Sequence, residues 1–426
     1  MKRSVSILLI LLVTASWALS QEVKTPAAAE TATAQMDALR SDGMEALFNL
    51  DYERARKDFR EIARLFPDHP AGPQFLATSL WIESLYETRR LQASLYSSDS
   101  FYSPNEDKAD PKVVAQFRAW TREAKRLAEA RLKLNPKDAD ARYFLGAIAG
   151  LKASFEEAVE RRHFAAMRDG SEAVDQHRDL IKQDPSFHDA EVTIGLYDYV
   201  VGSLPLAAKI LVGVTGARGS KKRGLATLER VTKEGKWARD DARTLLIVLY
   251  TRERRFAEAG AIAKELAAKY PRNYLFRLEA ADALVAQAAL ERKANHASAV
   301  ANAEREAFAT FEELLHDRTV RDTAAKALDL IHFKYGEALL TAGQPDRAAR
   351  EFLATTTVAG GEQGLVTMAH LFAARSMDVA GKRNEALTEY RAVLARTNVY
   401  DAHDLARKGL KEPYKVPTLE VANREE

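Results

Sequence analysis

Nine histidines are the side chains of this chain best suited to proton transfer or metal binding: His69, His163, His177, His188, His296, His316, His332, His370 and His403. None lies in HExxH or another compact pattern that would turn two ligands toward one metal. His403 stands in DAHD, a ligand-like cluster that a polar helix terminus explains as well. The paired carboxylates Glu156-Glu157 and Asp240-Asp241 are adjacent in sequence, so on a helix they point about 100° apart and read as a solvated face. No GxSxG elbow supplies a nucleophile. GARGSKKRG, from Gly216 to Gly224, lacks the glycine spacing of a phosphate loop and follows no expected strand. No catalytic residue, metal ligand or cofactor is expected, and an enzyme (an unrecognised hydrolase) would have to assemble its centre from distant residues.

The elements around these residues begin with MKRSVSILLILLVTASWALSQE. A short basic start, an apolar run from Val5 to about Leu19 and small residues before Gln21 read as a signal peptide over 1–20, and the run is short for a membrane span. Cysteine is absent, which excludes disulfides, thiol catalysis, cysteine zinc sites and a lipid-bearing cysteine. The chain is expected to be exported, periplasmic or otherwise extracytoplasmic, and not a lipoprotein. Without residues 1–20 it carries 61 basic against 61 acidic side chains. That balance argues against a nucleic-acid partner.

Residues 21–35 are rich in Ala and Thr and read as a flexible leader. From Met36 to about residue 410, apolar residues recur at helical spacing, and Ala, Leu, Glu, Arg and Lys dominate, so the class is all-α. Ser97 to Pro111 reads as an inserted loop, residues 150–170 and 285–305 as lengthened helices, and 411–426 as an irregular tail.

A spacing repeats through the helical region. Gly43 is followed at twelve residues by Ala55, then by Phe59 and Pro67. Small residues allow two antiparallel helices to approach, an aromatic fills the space between them, and proline ends the second helix. The pattern returns as Gly336, Ala348 and Phe352, and as Ala374, Ala386 and Tyr390. Ala259, Ala263 and Pro271 keep its second half. Pro136 and Pro185 close two more second helices, each ahead of a first helix with a glycine, Gly146 and Gly195.

These residues resemble the tetratricopeptide repeat over approximately 36–410. The resemblance implies a right-handed α-solenoid of stacked helix hairpins with a concave groove. The family repeat is 34 residues, whereas Pro136 to Pro185 spans 49. Ligands of the family lie along the inner face of each first helix, which here implies Leu47, Tyr143, Leu196, Tyr199, Val248, Arg252, Phe333, Leu340, Leu371 and Arg375. Tyr199 and Arg252 are the favoured pair. The implied partner is a protein or peptide, and the implied role a non-enzymatic scaffold in envelope assembly or complex formation.

VGSLPLAAKILVGVTGARGSKKRG, Val201 to Gly224, is too short and too interrupted by Pro205 and Lys209 to span a bilayer. It fits a variant repeat in which Pro205 opens a helix, Gly216 to Gly219 break it and Lys221 to Glu234 form the next. With the preceding GLYDYV it resembles a segment of some exported bacterial tetratricopeptide proteins and of the eukaryotic outer-mitochondrial-membrane inclusion-clearance family. Leu206–Val214 is expected in the core. The alternative is peripheral membrane contact through it and Arg218, Lys221, Lys222 and Arg223.

Overall fold

The computed structural model describes residues 26–93, 109–204, 219–323 and 325–416. The signal peptide, most of the inserted loop, Pro205–Arg218 and the end of the tail lie outside the described residues. Within them the chain is all-α, with no strand.

Eight antiparallel hairpins follow one another. They are α1 (Pro26–Phe48) with α2 (Tyr52–Leu65), α3 (Ala71–Glu87) with α4 (Pro111–Leu134), and α5 (Ala139–Ala158) with α6 (His163–Gln183). Next come α7 (Glu191–Ser203) with α8 (Lys221–Glu234), α9 (Arg239–Arg252) with α10 (Phe256–Lys269), and α11 (Tyr274–Lys293) with α12 (Ala297–His316). After the short α13 (Arg318–Thr323), α14 (Leu328–Thr341) pairs with α15 (Pro345–Thr357), and α16 (Gln363–Val379) with α17 (Arg383–Leu394); α18 (Ala402–Lys411) packs on the end. Each helix contacts its sequence neighbours, the signature of a solenoid.

The repeat residues occupy the expected places. Gly43 and Gly336 lie where a first helix crosses the aromatic of the second, Phe59 or Phe352, and a Cβ on Gly336 would come within 2.8 Å of the Phe352 ring. Ala55, Phe59, Ala348, Phe352 and Ala386 are wholly enclosed, and Tyr390, Ala259 and Ala263 nearly so. Pro67, Pro136, Pro185 and Pro271 each follow a helix end, where their missing N–H does no harm. In the long repeat His177 takes the aromatic's place against Gly146.

Two expectations need correction. Helix α1 reaches back to Pro26, so 26–35 is helical rather than a flexible leader, in keeping with the high helix propensity of alanine. Residues 150–170 and 285–305 are not single lengthened helices. Each contains a hairpin turn, centred on Arg161 (φ 58°) and Asn295 (φ 60°), between helices of 20 or 21 residues. Val159-Glu160-Arg161-Arg162 makes the first turn and Ala294-Asn295-His296 the second, so no Gly or Pro marks them. Lys221–Glu234 is helical as read, capped by the Ser220 side chain accepting from the Arg223 N–H.

The array also folds back on itself. The first hairpins meet first helices from its second half, across contacts spanning roughly half the chain. The Phe48 ring stacks on Tyr270 at 4.8 Å, the Asn273 side chain donates to the Phe48 carbonyl at 2.7 Å, and Arg40 lies over the Trp237 ring at 4.4 Å. Leu50 and Tyr86 join the large apolar cluster built around Tyr274, Leu330 and Phe333.

Candidate functional site

The expected groove residues do not form one open surface. Leu47, Tyr199, Phe333 and Leu371 are buried in the core, so the assignment of these four to a ligand-facing groove is corrected. Periodicity marks apolar positions but does not separate those facing a groove from those facing the next repeat. Tyr199 is 1 % exposed and donates to the Glu253 carboxylate at 2.7 Å, and burial with that partner pushes its phenol up to about 12. Arg252, exposed at the end of α9, adds its charge beside Tyr199. Tyr143 stacks on His177 and meets Phe187; Val248, like Phe48, packs on the cluster of Ile247 and Tyr270, and Leu340 on the Phe333 cluster. Arg375 covers Phe372 and Tyr414, and Leu196 is part-buried on α7. The favoured pair is thus brought together, but around a core tyrosine.

The inner face is instead crossed by a seam. Arg89, itself in the left-handed region (φ 56°), donates from Nε to Asp329 at 2.8 Å, both side chains almost fully buried. Asp329 also accepts the Glu362 backbone N–H at 2.8 Å, so one carboxylate joins the end of α3, the start of α14 and the approach to α16. Further along, the Ala93 N–H donates to Glu279 at 2.8 Å. Next to Glu279, Asp282 holds Lys334 at 2.8 Å, and Lys334 reaches Glu337 at 2.9 Å. Burial, then Asp282, push the Glu279 carboxyl up to about 7. Burial opposes the Lys334 charge, but Asp282 and Glu337 outweigh it and hold its pKa above the usual lysine value.

Where the seam reaches the surface it leaves a cleft of about 310 Å³, lined by Asn49 to Glu53, Arg56, Glu83, Tyr86, Arg272 and Tyr274. Arg56 bridges Glu83 at 2.5 Å and Glu53 at 2.6 Å, and Arg272 reaches Asp51 at 3.1 Å. The Tyr52 hydroxyl is buried on the wall with no hydrogen-bond partner among the described residues, and burial raises its pKa well above the ordinary phenol value. The site offers aromatic walls beside balanced charge pairs, which suits recognition of a chain segment rather than bond making.

Repeat register is carried by polar residues too. His332 on α14 meets Glu351 on α15 at 2.7 Å, and His370 on α16 meets Glu389 on α17 at 2.6 Å, each pair 19 residues apart. With the Gly–aromatic crossings and sequential hairpins, this decides the architecture. The fold is that of a tetratricopeptide-type helical repeat protein. No protein-family model matches the sequence, and no curated protein does either. Among solved structures, the human IFIT1 dimer with m7Gppp-AAAA is similar at 14 % identity, covering 90 % of this chain and 85 % of that one, with a TM-score of 0.46. Yeast Tom70 is similar at 13 % identity over 93 % and 84 %, TM-score 0.34. A tetratricopeptide repeat protein from Parabacteroides merdae is similar at 14 % over 80 % and 99 %, TM-score 0.31.

Within this tetratricopeptide-type array the histidines are occupied structurally. His403 meets the Arg396 carbonyl at 2.9 Å and its backbone N–H donates to Asn398, as a polar helix terminus does. His177 is in the core, and burial drops its pKa to about 4. Among the described residues no group of His, Asp and Glu is placed to hold a metal ion. Asp240 and Asp241 point apart as their spacing requires, but the expectation of a solvated face is corrected, since Asp240, like Glu156, is buried. Asp240 binds Tyr270 at 2.6 Å and Lys269 at 2.5 Å, while burial, against the pull of Arg40, pushes Asp241 up to about 6. Sequence reasoning missed Arg40, Arg89, Trp237, Glu279 and Asp329. Their partners lie so far along the chain that no local period reveals them; only the paired arginines Arg89-Arg90, after an apolar helix, stood out of pattern.

Proposed function

We propose that this is an exported, non-enzymatic scaffold that binds a protein or peptide partner at the seam cleft, in envelope assembly or complex formation. The observation that carries the reading is the open cleft of about 310 Å³ between two halves of the array, where Tyr52, Tyr86 and Tyr274 stand beside charged side chains. Arg56 and Arg272, held by carboxylates, present oriented guanidinium edges to a segment of such a partner. Export rests on the basic start and apolar run of residues 1–20.

Photo-crosslinking from a probe at Glu53, on the exposed rim, tests this in the native envelope. The control is a probe at Lys264, on α10, where it pairs with Glu306 of α12. A discrete protein adduct from position 53 alone is expected. Identical adducts from both positions, or none from position 53, would refute the cleft as the binding surface.

A further inference from the structure

Among the described residues large apolar side chains are mostly enclosed; Leu134, Val379 and Val416 are exposed singly, whereas three others stand at one end of the molecule. Phe164, in the first turn of α6, is 91 % exposed; Met167, one turn on, is 48 % exposed and Val200 of α7 49 %. Helices α6 and α7 pack antiparallel, with the Ser171 and Tyr197 hydroxyls 3.5 Å apart. That register sets Phe164 and Met167 alongside the last turns of α7, where Val200 stands. The start of α8 closes on the same end, for a Cβ on Gly202 would strike the backbone of Ser220 and Lys221.

Basic residues flank these three, along α6 and at the start of α8, whose backbone meets Gly202. Arg162, His163 and Arg168 come from α6 and the turn before it, and Lys221, Lys222 and Arg223 from the first turn of α8. Most are paired, but asymmetrically. Arg168 meets Asp169 at 2.9 Å, Arg162 meets Glu156 at 3.7 Å, Arg223 meets Asp198 at 2.9 Å, and Lys221 meets Glu253 at 2.8 Å. In every pair the carboxylate is the more buried member. The acids lie within and the cations outside, so this end turns positive charge toward solvent. Glu157 is the exposed exception, and it is held by His163 at 2.9 Å. A phenylalanine this exposed projects rather than lining a groove. Projecting apolar side chains inside a basic rim match the interface of an anionic bilayer, where the ring reaches the acyl boundary and the cations meet phosphates.

We propose that this end, Phe164, Met167 and Val200 within the rim of Arg162, Arg168, Lys221, Lys222 and Arg223, docks peripherally on an anionic lipid surface. It is separate from the seam cleft, so either assignment can fail alone. The test is flotation of the chain from Gln21 onward with vesicles of phosphatidylglycerol and phosphatidylethanolamine, against vesicles of phosphatidylcholine alone. The chain should float with the anionic vesicles at low salt and stay behind with the neutral ones. Phe164→Asp with Met167→Asp should lower the bound fraction about tenfold, the scale set by withdrawing an apolar side chain from the interface. Arg168→Glu with Lys222→Glu should lower it by a similar factor. Phe164 makes little contact within the fold, so unchanged thermal melting would show each variant folded. Flotation of the Phe164/Met167 variant at the unsubstituted level, or failure of the unsubstituted chain to float with anionic vesicles, would overturn the proposal.

Discussion

The last two hairpins, α14–α15 and α16–α17, and the first helices, α1 to α3, use different means to reach the same packing. In the last two, one unit nearly copies the other: Phe352 and Tyr390 fill equivalent positions, His332–Glu351 and His370–Glu389 pair at one spacing, and Gly343 and Gly381 make the turns. Their contacts are mostly local. The first helices keep one such crossing, Gly43 on Phe59, but are also held by Arg89–Asp329, Asn273 on the Phe48 carbonyl and Ala93 on Glu279. Local repeats make a solenoid, and the distant polar contacts close it and create a cleft. The scaffold and the candidate site therefore rest on separable interactions.

Asp329→Ala should break the comparison most strongly. It strands the buried Arg89 charge and removes the acceptor of the Glu362 N–H, at a cost of about 3–5 kcal/mol. Denaturant unfolding measures the loss, and limited proteolysis should cut first near residues 88–93 while α17 and α18 stay protected. Simultaneous loss of both regions would show that the seam is not separable. Gly336→Val attacks the local side. Its Cβ would press on the Phe352 ring, and overpacking of this kind costs about 2–3 kcal/mol. Here protection should fall first across α14 and α15, read by amide hydrogen exchange.

Acidity separates the regions next. The Glu279 carboxyl, pushed up to about 7, binds its proton more tightly folded than unfolded. Its contribution is therefore intact below about pH 4.5 and lost as pH rises through 7. Glu279→Gln keeps an oxygen for the Ala93 N–H but no charge, so it should stabilise the chain by about 1–2 kcal/mol at pH 8 and not at all at pH 4. His177, dropped to about 4 by burial, works in the opposite direction. Unfolding frees it to take a proton, so its contribution is full above about pH 6.5 and declines toward pH 4. A stability curve on His177→Phe with a flatter acid limb than the unsubstituted chain would bear this out.

The sequence made the scaffold legible because its determinants are periodic. Glycine, alanine and an aromatic at fixed spacing describe a helix crossing completely within one hairpin, and Pro67, Pro136, Pro185 and Pro271 mark the helix ends. The cleft was not legible for the converse reason. Tyr52 sits at an ordinary helix start, and nothing in YERARKDF announces Tyr274 or Arg272 across its cleft. The groove reading failed at Tyr199 because that position packs on its own hairpin and the next repeat, against Leu228 and Leu246. It failed at Phe333 because its cluster also takes in Leu50 and Tyr86 from the first hairpins, as an inward-facing position does in a closed superhelix. Closure is decided by contacts such as Arg89–Asp329, which a single sequence does not encode in any period.

The turns give the finest version of the comparison. Each of four hairpin turns has the residue after the helix in the left-handed region: Leu50 at φ 62° and Arg254 at φ 60° in the earlier part, Gly343 at 75° and Gly381 at 77° in the later. The closing hydrogen bond is the same in all four, from Asp51 to the Ala46 carbonyl at 2.9 Å and from Arg255 to Tyr250, Gln344 to Leu339 and Lys382 to Met377 at 2.8 Å, as expected of a helix-ending loop of this type. Geometry is shared, but only the later turns use the residue that adopts it without steric penalty. Arg254 is exposed and only its backbone amide makes a turn contact, donating to the Thr251 carbonyl. Arg254→Gly should therefore stabilise by about 0.5–1 kcal/mol, the left-handed strain relieved less the extra entropy glycine brings to the unfolded chain. Gly381→Ala should destabilise by about 1 kcal/mol, although its Cβ would meet nothing within 4 Å. Opposite signs in denaturant midpoints would show that the turns differ in residue choice alone. Matching signs would mean that the Arg254 turn is held by its surroundings, tying even this local element to the closure of the array.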